Sequence, residues 1–291
     1  MKTSFSRKTF MFFNILFMIF VALICLYPMY YVVVASFSDP AKVIAHKGIL
    51  LAPIEPTLIS YERAFKHPLI INSYMVTLFV LVVGVAINIL LTAFAAYGIS
   101  RKKLYLRKPI SFLIMFTMYF SGGLIPTYLT VKDLGLLDNI WVMILPSALN
   151  TFNMIVLRTA FLSVPESLEE SAFIDGASHF ALLFKILMPL CLPNLAVITL
   201  YYGVSHWNAW FAASIYINDV SLYPLQLVMR QVLLANDTSS VMVGVDAGSQ
   251  AAVSETIKYS LIVISTVPIL LLYPILQKYF VNGIMVGAVK G

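Results

Sequence analysis

Charge is scarce in this sequence. Only 11% of its 291 residues are Asp, Glu, Lys or Arg, against about 25% in an ordinary soluble domain. Cysteine is scarcer: Cys25 and Cys191 are the two present, and both fall inside apolar runs. Two cysteines so placed give no disulfide framework and read as reduced structural residues. No His/Cys/Asp cluster has metal-ligand spacing, and no Ser/His/Asp set falls in one credible site. The phosphate-binding pattern Gly-x4-Gly-Lys-Ser/Thr is absent, so the chain is not itself an ATPase of that kind. Carboxylates inside apolar segments are nearly absent, which argues against a proton-coupled carrier. Enzyme readings therefore find little support, and no cofactor is expected on this chain.

What fills the sequence instead is apolar. Hydrophobic residues make up 60% of it, arranged in long runs. About 20 apolar residues span a bilayer as helix, and six such windows can be read: 10–35, 72–98, 109–130, 139–161, 187–211 and 257–278. The expected fold is all-α, a single polytopic membrane domain over 1–291 with about six transmembrane helices. The third and fourth windows are interrupted by Gly122, Gly123, Pro126 and Pro146. Breaks of that kind are tolerated in membrane helices when neighbours satisfy the freed backbone groups. The first window is too long for the apolar core of a signal peptide, which runs to about 15 residues, and reads as an uncleaved helix.

Orientation follows from the basic residues. Lys2, Arg7 and Lys8 precede the first window. Arg101, Lys102, Lys103, Arg107 and Lys108 follow the second without an acid among them, and Lys278 and Lys290 lie in the tail. The segments 37–71 and 131–138 have mixed charge. Both termini are thus expected in the cytoplasm of a bacterial cell, with the chain in its inner membrane. The net charge of +6 is a topology signal, not a nucleic-acid footprint, because the basic residues flank spans and form no separate domain. External loops are expected at 37–71, extended around Pro40, Pro53, Pro56 and Pro68, and at 212–256. The part from Asn236 to Gln250 is small and polar with Gly244 and Gly248, which suits either a flexible loop or a disordered connector.

One cytoplasmic loop departs from the basic trend. Between the fourth and fifth windows, about 164–189, stand Glu166, Glu169, Glu170 and Asp175 against Lys185. Pro165 suits the first turn of a helix, with acids following where the helix dipole favours them. Gly176 is placed to end that helix, and a second short helix over about 177–186 leads to Pro189. Leu168, Ala172 and Phe173 make an apolar flank beside the acidic one. Interfacial helices on lipid favour Lys and Arg on their polar face, so the acids point to a protein groove as the binding surface.

Glu170-Ser171-Ala172, three residues, Gly176, nine residues, then Ile186-Leu187-Met188-Pro189 resembles the EAA loop of binding-protein-dependent ABC import permeases. Ser171 stands at an Ala position and Met188 at the Leu position; the spacing is intact. The whole chain is similar to maltose-type sugar permeases of the oligosaccharide branch. Ser121-Gly122-Gly123-Leu124-Ile125-Pro126, Trp207-Asn208 and the tail Gly283-Ile284-Met285-Val286-Gly287-Ala288-Val289-Lys290-Gly291 support this. The resemblance implies that the helix after Pro165 is a coupling helix seated on a cytoplasmic ATPase dimer, which would bind the ATP and Mg. Glu166, Glu169, Glu170, Ser171, Ala172, Asp175, Gly176, Ile186 and Pro189 would form that coupling element. A second, homologous permease subunit and a solute-binding protein outside the membrane would complete the importer.

A solute path is sought among polar residues within spans, which usually face a bundle interior or cavity. The fifth window offers Asn194, Tyr201, Ser205 and Asn208, whose spacings of 7, 4 and 3 keep them within about 60° on one helix face, with Trp207 beside them. The fourth holds Ser147, Asn150, Thr151 and Asn153. Groups of these kinds hydrogen-bond a neutral, hydroxyl-rich solute without charge. The second window carries Ser73, Thr77, Gly84 and Asn88, read as packing contacts between helices, and His206 reads as structural. The competing readings are a stand-alone secondary transporter or channel for a polar neutral solute, and an assembly protein that transports nothing. The acidic loop separates the first of these from an importer, since a stand-alone carrier has no use for an ATPase-docking helix.

Overall fold

The computed structural model describes the backbone of residues 5–66, 68–101, 104–242, 257–271 and 274, and their side chains except at 5, 6 and 235–242. Every regular element among them is helical. In chain order these are α1 Phe5–Ser36, α2 Pro40–Ala45, α3 Ile59–Lys66, α4 Pro68–Ser100, α5 Arg107–Phe116, α6 Leu124–Asp133, α7 Thr151–Ser163 and α8 Glu166–Ile174. There follow α9 His179–Leu190, α10 Leu192–Trp207, α11 Phe211–Tyr216, α12 Leu225–Met242 and α13 Ile257–Leu271. Two 3-10 turns, Ile140–Met143 and Leu145–Ser147, lead into α7.

The chain divides into two compact units: 1–70 with 229–267, and 71–228 with 268–291. In the first, α1 contributes an unbroken apolar helix from Arg7 to Ser36. Phe12, Phe17 and Leu23 on it are all exposed, as suits a helix that meets lipid. Its end packs Val34 and Ala35 against Val43 and Leu50. The Asp39 carboxylate starts α2 by accepting from the backbone N–H groups of Ala41 at 3.1 Å and Lys42 at 3.2 Å. Ser260 on α13 donates to the Ser60 carbonyl at 3.2 Å, and Tyr31 meets Tyr259 edge-on at 5.8 Å.

In the second unit α4 is the long element, 33 residues and so ~50 Å from end to end. At one end Asn72 donates to the Ser221 carbonyl at 2.5 Å, and the Thr77 hydroxyl accepts from the Leu225 N–H at 2.8 Å. At the other end Arg101 forms an ion pair with Glu169. The segment around 217–225 and the acidic loop therefore lie at opposite ends of one membrane-length helix. Asp138 joins the first of these ends: it takes up a left-handed conformation, φ 57°. From there its carboxylate accepts from Asn218 and Asp219 N–H at 2.9 and 2.8 Å.

The six apolar windows take different forms. Among the described residues, two continuous helices, Arg7–Ser36 and Pro68–Ser100, are long and apolar enough to cross a membrane. The third window is split into α5 and α6 by a non-helical stretch ending at Gly123, whose φ is 88°. The fourth bends by 49° between the 3-10 turns and α7. The fifth begins later than read: α9 belongs to the loop, and α10 leaves it at 87°. Pro189 and Pro193 flank this elbow, and Pro193 lies in the first turn of α10, where a missing N–H does no harm. The sixth window is described as α13 to Leu271. Of the segment read as a loop, 236–242 is helical, the end of α12. Residues 243–256 with Gly244 and Gly248, Lys2, Lys102, Lys103, Lys278, Lys290 and the tail 283–291 lie outside the described residues.

At Gly84 the His206 ring of α10 lies directly against α4. A Cβ built there would stand 2.7 Å from the His206 ring nitrogen Nε2, and that ring is buried and hydrogen-bonded. Gly84→Ala is expected to lower stability by about 1–3 kcal/mol through overpacking. Thermal unfolding of the detergent-extracted protein measures it, and an unchanged midpoint would show that His206 moves freely.

Candidate functional site: a polar cleft and a docking helix

The break in the fourth window leaves backbone groups without helical partners, and α4 and α10 supply them. The Asn88 amide nitrogen donates to the Ser147 and Ala148 carbonyls at 3.1 and 2.8 Å, while its oxygen lies 2.6 Å from His206 Nε2. Tyr202 accepts from the Asn150 N–H at 2.9 Å, and its hydroxyl lies 2.7 Å from that of Thr92. The Asn150 side chain turns back and accepts from the Asn153 N–H at 3.1 Å, capping α7. Inside a membrane, irregular backbone survives only where protein buries it or it lines a cavity, and here both conditions hold. Asn88, Thr92, Asn153, Tyr202 and His206 are each at least nine-tenths buried.

A cleft of about 350 Å³ opens beside this break, lined by Ser147, Asn150, Phe152, Asn153, Tyr201, Tyr202, Ser205 and His206. Its walls carry amide, hydroxyl and imidazole groups with two exposed rings, Phe152 and Tyr201, 6.1 Å apart. Among the described residues, no acid, Lys or Arg lines it. Four of the residues expected on a solute path, Asn150, Asn153, Tyr201 and Ser205, are thus brought together. Three are not. Trp207 is buried edge-on against Tyr74 at 5.9 Å. Asn208 ends α10, its side-chain amide donating to the Val204 carbonyl at 3.0 Å. Asn194 lies outside the lining residues. Phe152 and Tyr202 were not legible as lining groups, and His206 has a structural contact and a cleft-facing position together.

The acidic loop is built from local capping. Pro165 precedes α8, and Glu166 and Glu169 occupy its first turn. At its end Gly176 adopts φ 79°. Its N–H donates to the Phe173 carbonyl at 3.1 Å, and the Ala177 N–H donates to the Ala172 carbonyl at 2.9 Å, a Schellman closure. Ser178 starts α9 by accepting from the Ala181 N–H at 3.2 Å. Residues Leu182–Leu187 then form a widened π turn that leads to Pro189, whose ring would clash with the carbonyl four residues back in a regular helix.

Ala172 is buried in a cluster with Leu182, Leu183 and Leu187, and Ile186 packs against it. Glu170, Ser171, Asp175 and Pro189 are exposed. Glu169 differs from the expectation. It binds this chain's own Arg101, whose guanidinium also lies 4.6 Å over the Tyr97 ring. The Tyr97 hydroxyl and His179 Nδ1 are 2.5 Å apart, and the His179 ring meets Phe173 at 5.1 Å. Arg101, Tyr97 and His179 thus brace the helix, a role that loop charge alone does not reveal. The outward face presents Phe173, Phe180 and above all Ile174, which is 86% exposed.

Fold and site together define a helical membrane protein with a polar cleft among broken spans and an apolar, acid-flanked helix projecting from one end. The chain belongs to the family of binding-protein-dependent transport system inner membrane components, whose pattern matches residues 88–286. It is 44% identical to the polygalacturonan/rhamnogalacturonan transport system permease protein YtcP of Bacillus subtilis over 94% of this chain and 96% of that protein. It is 41% identical to Protein LplC of the same organism, over 96% and 94% of the two chains. Among solved structures it resembles a chain of a bacterial ABC transporter involved in the import of the acidic polysaccharide alginate. That match has a TM-score of 0.88 and 33% identity, and covers 96% of this chain and 99% of the other.

Asn88→Ala removes the donor that two freed carbonyls share. The expected loss is about 1–3 kcal/mol for each carbonyl left unsatisfied, read as a lowered unfolding midpoint in detergent. Asn88→Gln, which keeps the amide, is expected to recover only part of it because the longer side chain displaces the group.

Proposed function

We propose that this chain is one of two pore subunits of an ABC importer that carries an oligosaccharide into the bacterial cytoplasm. ATP hydrolysis on a separate ATPase dimer drives it, and that dimer, not this chain, binds ATP and Mg. The observation that carries the reading is α8: a short helix closed by Gly176 and braced by Arg101, with Ile174 and Phe173 outward beside Glu170 and Asp175. An apolar ridge with acidic flanks suits a groove on another protein. Membership of a family of binding-protein-dependent components supports a solute-binding protein and a second permease as the other partners. The placement of Arg101 beside α8 supports α8 lying on the same side as the basic loop, the cytoplasmic side in the orientation drawn from the basic residues, which also puts both termini there.

The substrate reading rests on the cleft and on the relatives. Amide and hydroxyl groups with exposed aromatic rings suit a hydroxyl-rich solute, and the relatives are named for polygalacturonan, rhamnogalacturonan and alginate transport. Fragments of those polymers are the substrates to test first.

Ile174→Glu is expected to leave the protein in the membrane, abolish uptake and lose the co-purifying ATPase. Retained uptake with a retained ATPase would overturn α8 as the docking element. Gly176→Val forces a β-branched residue into a left-handed conformation, a strain of about 1–2 kcal/mol, and is expected to uncouple ATP hydrolysis from uptake. Tyr201→Ala removes a ring from the cleft and is expected to raise the KM for oligosaccharide uptake while ATPase association stays normal. Asn208→Ala, by contrast, is expected to leave KM unchanged, because Asn208 is committed to its own helix end.

A further inference from the structure

A second cleft, of about 740 Å³, lies where α5 begins, lined by Leu104, Tyr105, Arg107, Lys108, Pro109, Ser111, Met115 and Arg158. Among the described residues, three cations face it, from α5 and from α7, and no acid lines it. Arg158 commits its Nε to the Ile99 carbonyl at 3.3 Å, which fixes the guanidinium at the cleft wall. The Ser111 hydroxyl is buried and has no hydrogen-bond partner among the described residues. A buried hydroxyl left without a partner costs about 1–3 kcal/mol, and an acceptor arriving in the cleft would remove that cost.

The geometry points to a binding site for the phosphate headgroup of an anionic phospholipid. A cleft of this volume far exceeds a bare phosphate ion. Phe112, Leu113 and Leu106 stand exposed beside it, as acyl chains require, and Tyr105, 94% exposed, is a residue favoured at headgroup level. The cleft opens at the end of α5 adjoining the basic loop, the membrane side that also holds α8. Basic clefts between membrane helices on the cytoplasmic side are suited to anionic headgroups. The assignment to the cytoplasmic leaflet rests on the orientation proposed above; the binding itself does not.

Native mass spectrometry of the full-length chain, extracted with whatever subunits accompany it, tests this by titration with phosphatidylglycerol, phosphatidylcholine or inorganic phosphate. Phosphatidylglycerol is expected to bind in preference to phosphatidylcholine. Arg107→Gln with Lys108→Gln is expected to weaken it roughly 30-fold, the effect of two charges removed near an anionic headgroup. Ser111→Ala, which changes no charge and is safe for folding, is expected to weaken it severalfold. Equal binding of the two lipids, or a preference unchanged in both variants, would overturn the site. So would displacement of the lipid by millimolar inorganic phosphate, which would make it a free-phosphate site. Binding seen for the isolated chain but lost in the assembly would also overturn it, assigning the cleft to an acidic segment of a partner. The readout needs neither ATP nor uptake, so its failure is distinct from failure of the importer reading.

Discussion

A hydrocarbon interior offers no water to a broken helix, and the second unit is organised around that constraint. The turn at Ser147–Asn150 frees carbonyl and N–H groups at membrane depth. Asn88 and Tyr202, from helices on either side, take them up. These contacts hold α4, α7 and α10 together as one frame, and they produce the cleft, because backbone that turns away from lipid leaves space lined with polar groups. The bend and the cleft are thus one feature. Gly84 belongs to it too: only a residue without a Cβ lets the His206 ring sit against α4 and reach Asn88.

The same long helix orders the two ends of the frame. Asn72 and Thr77 hold one end to the segment 221–225, and Arg101 holds the other to α8. Surface ion pairs are usually worth little, but the Arg101–Glu169 pair is mostly shielded, with side-chain exposures of 19% and 17%. Breaking one side of a shielded pair leaves a charge without compensation. The contact therefore fixes where the projecting helix stands relative to the span that bears Asn88.

Local chemistry was legible in the sequence, and distant contact was not. Pro165, the acids after it and Gly176 define α8 because caps depend on residues within a turn of each other. Helical periodicity placed Tyr201 and Ser205 together on α10. Asn208, on the same face by periodicity, sits where the helix stops and its amide serves that end, and Trp207, read beside that face, is buried against Tyr74. Gly122 and Gly123 announced the break in the third window. Pro189 and Pro193 flank the elbow before α10, yet a pattern of apolar residues alone ran straight through it. Glu169 finds Arg101 across 68 residues of chain, and nothing in the acidic loop indicates which basic residue it meets. Charge had assigned Arg101 only to a side of the membrane; packing gives it a partner.

The elbow at Cys191 has a geometric consequence. There α9 and α10 meet at 87°, so the chain turns a near right angle at a single residue. Ala172, Leu182, Leu183 and Leu187 join α8 to α9 in one packed cluster, and Leu195 and Ile198 carry that cluster across the corner into α10. Further along α10 stand Tyr201, Tyr202, Ser205 and His206, one wall of the cleft. The exposed acidic helix and the cleft are in this way two ends of a single bracket, with one packed corner between them.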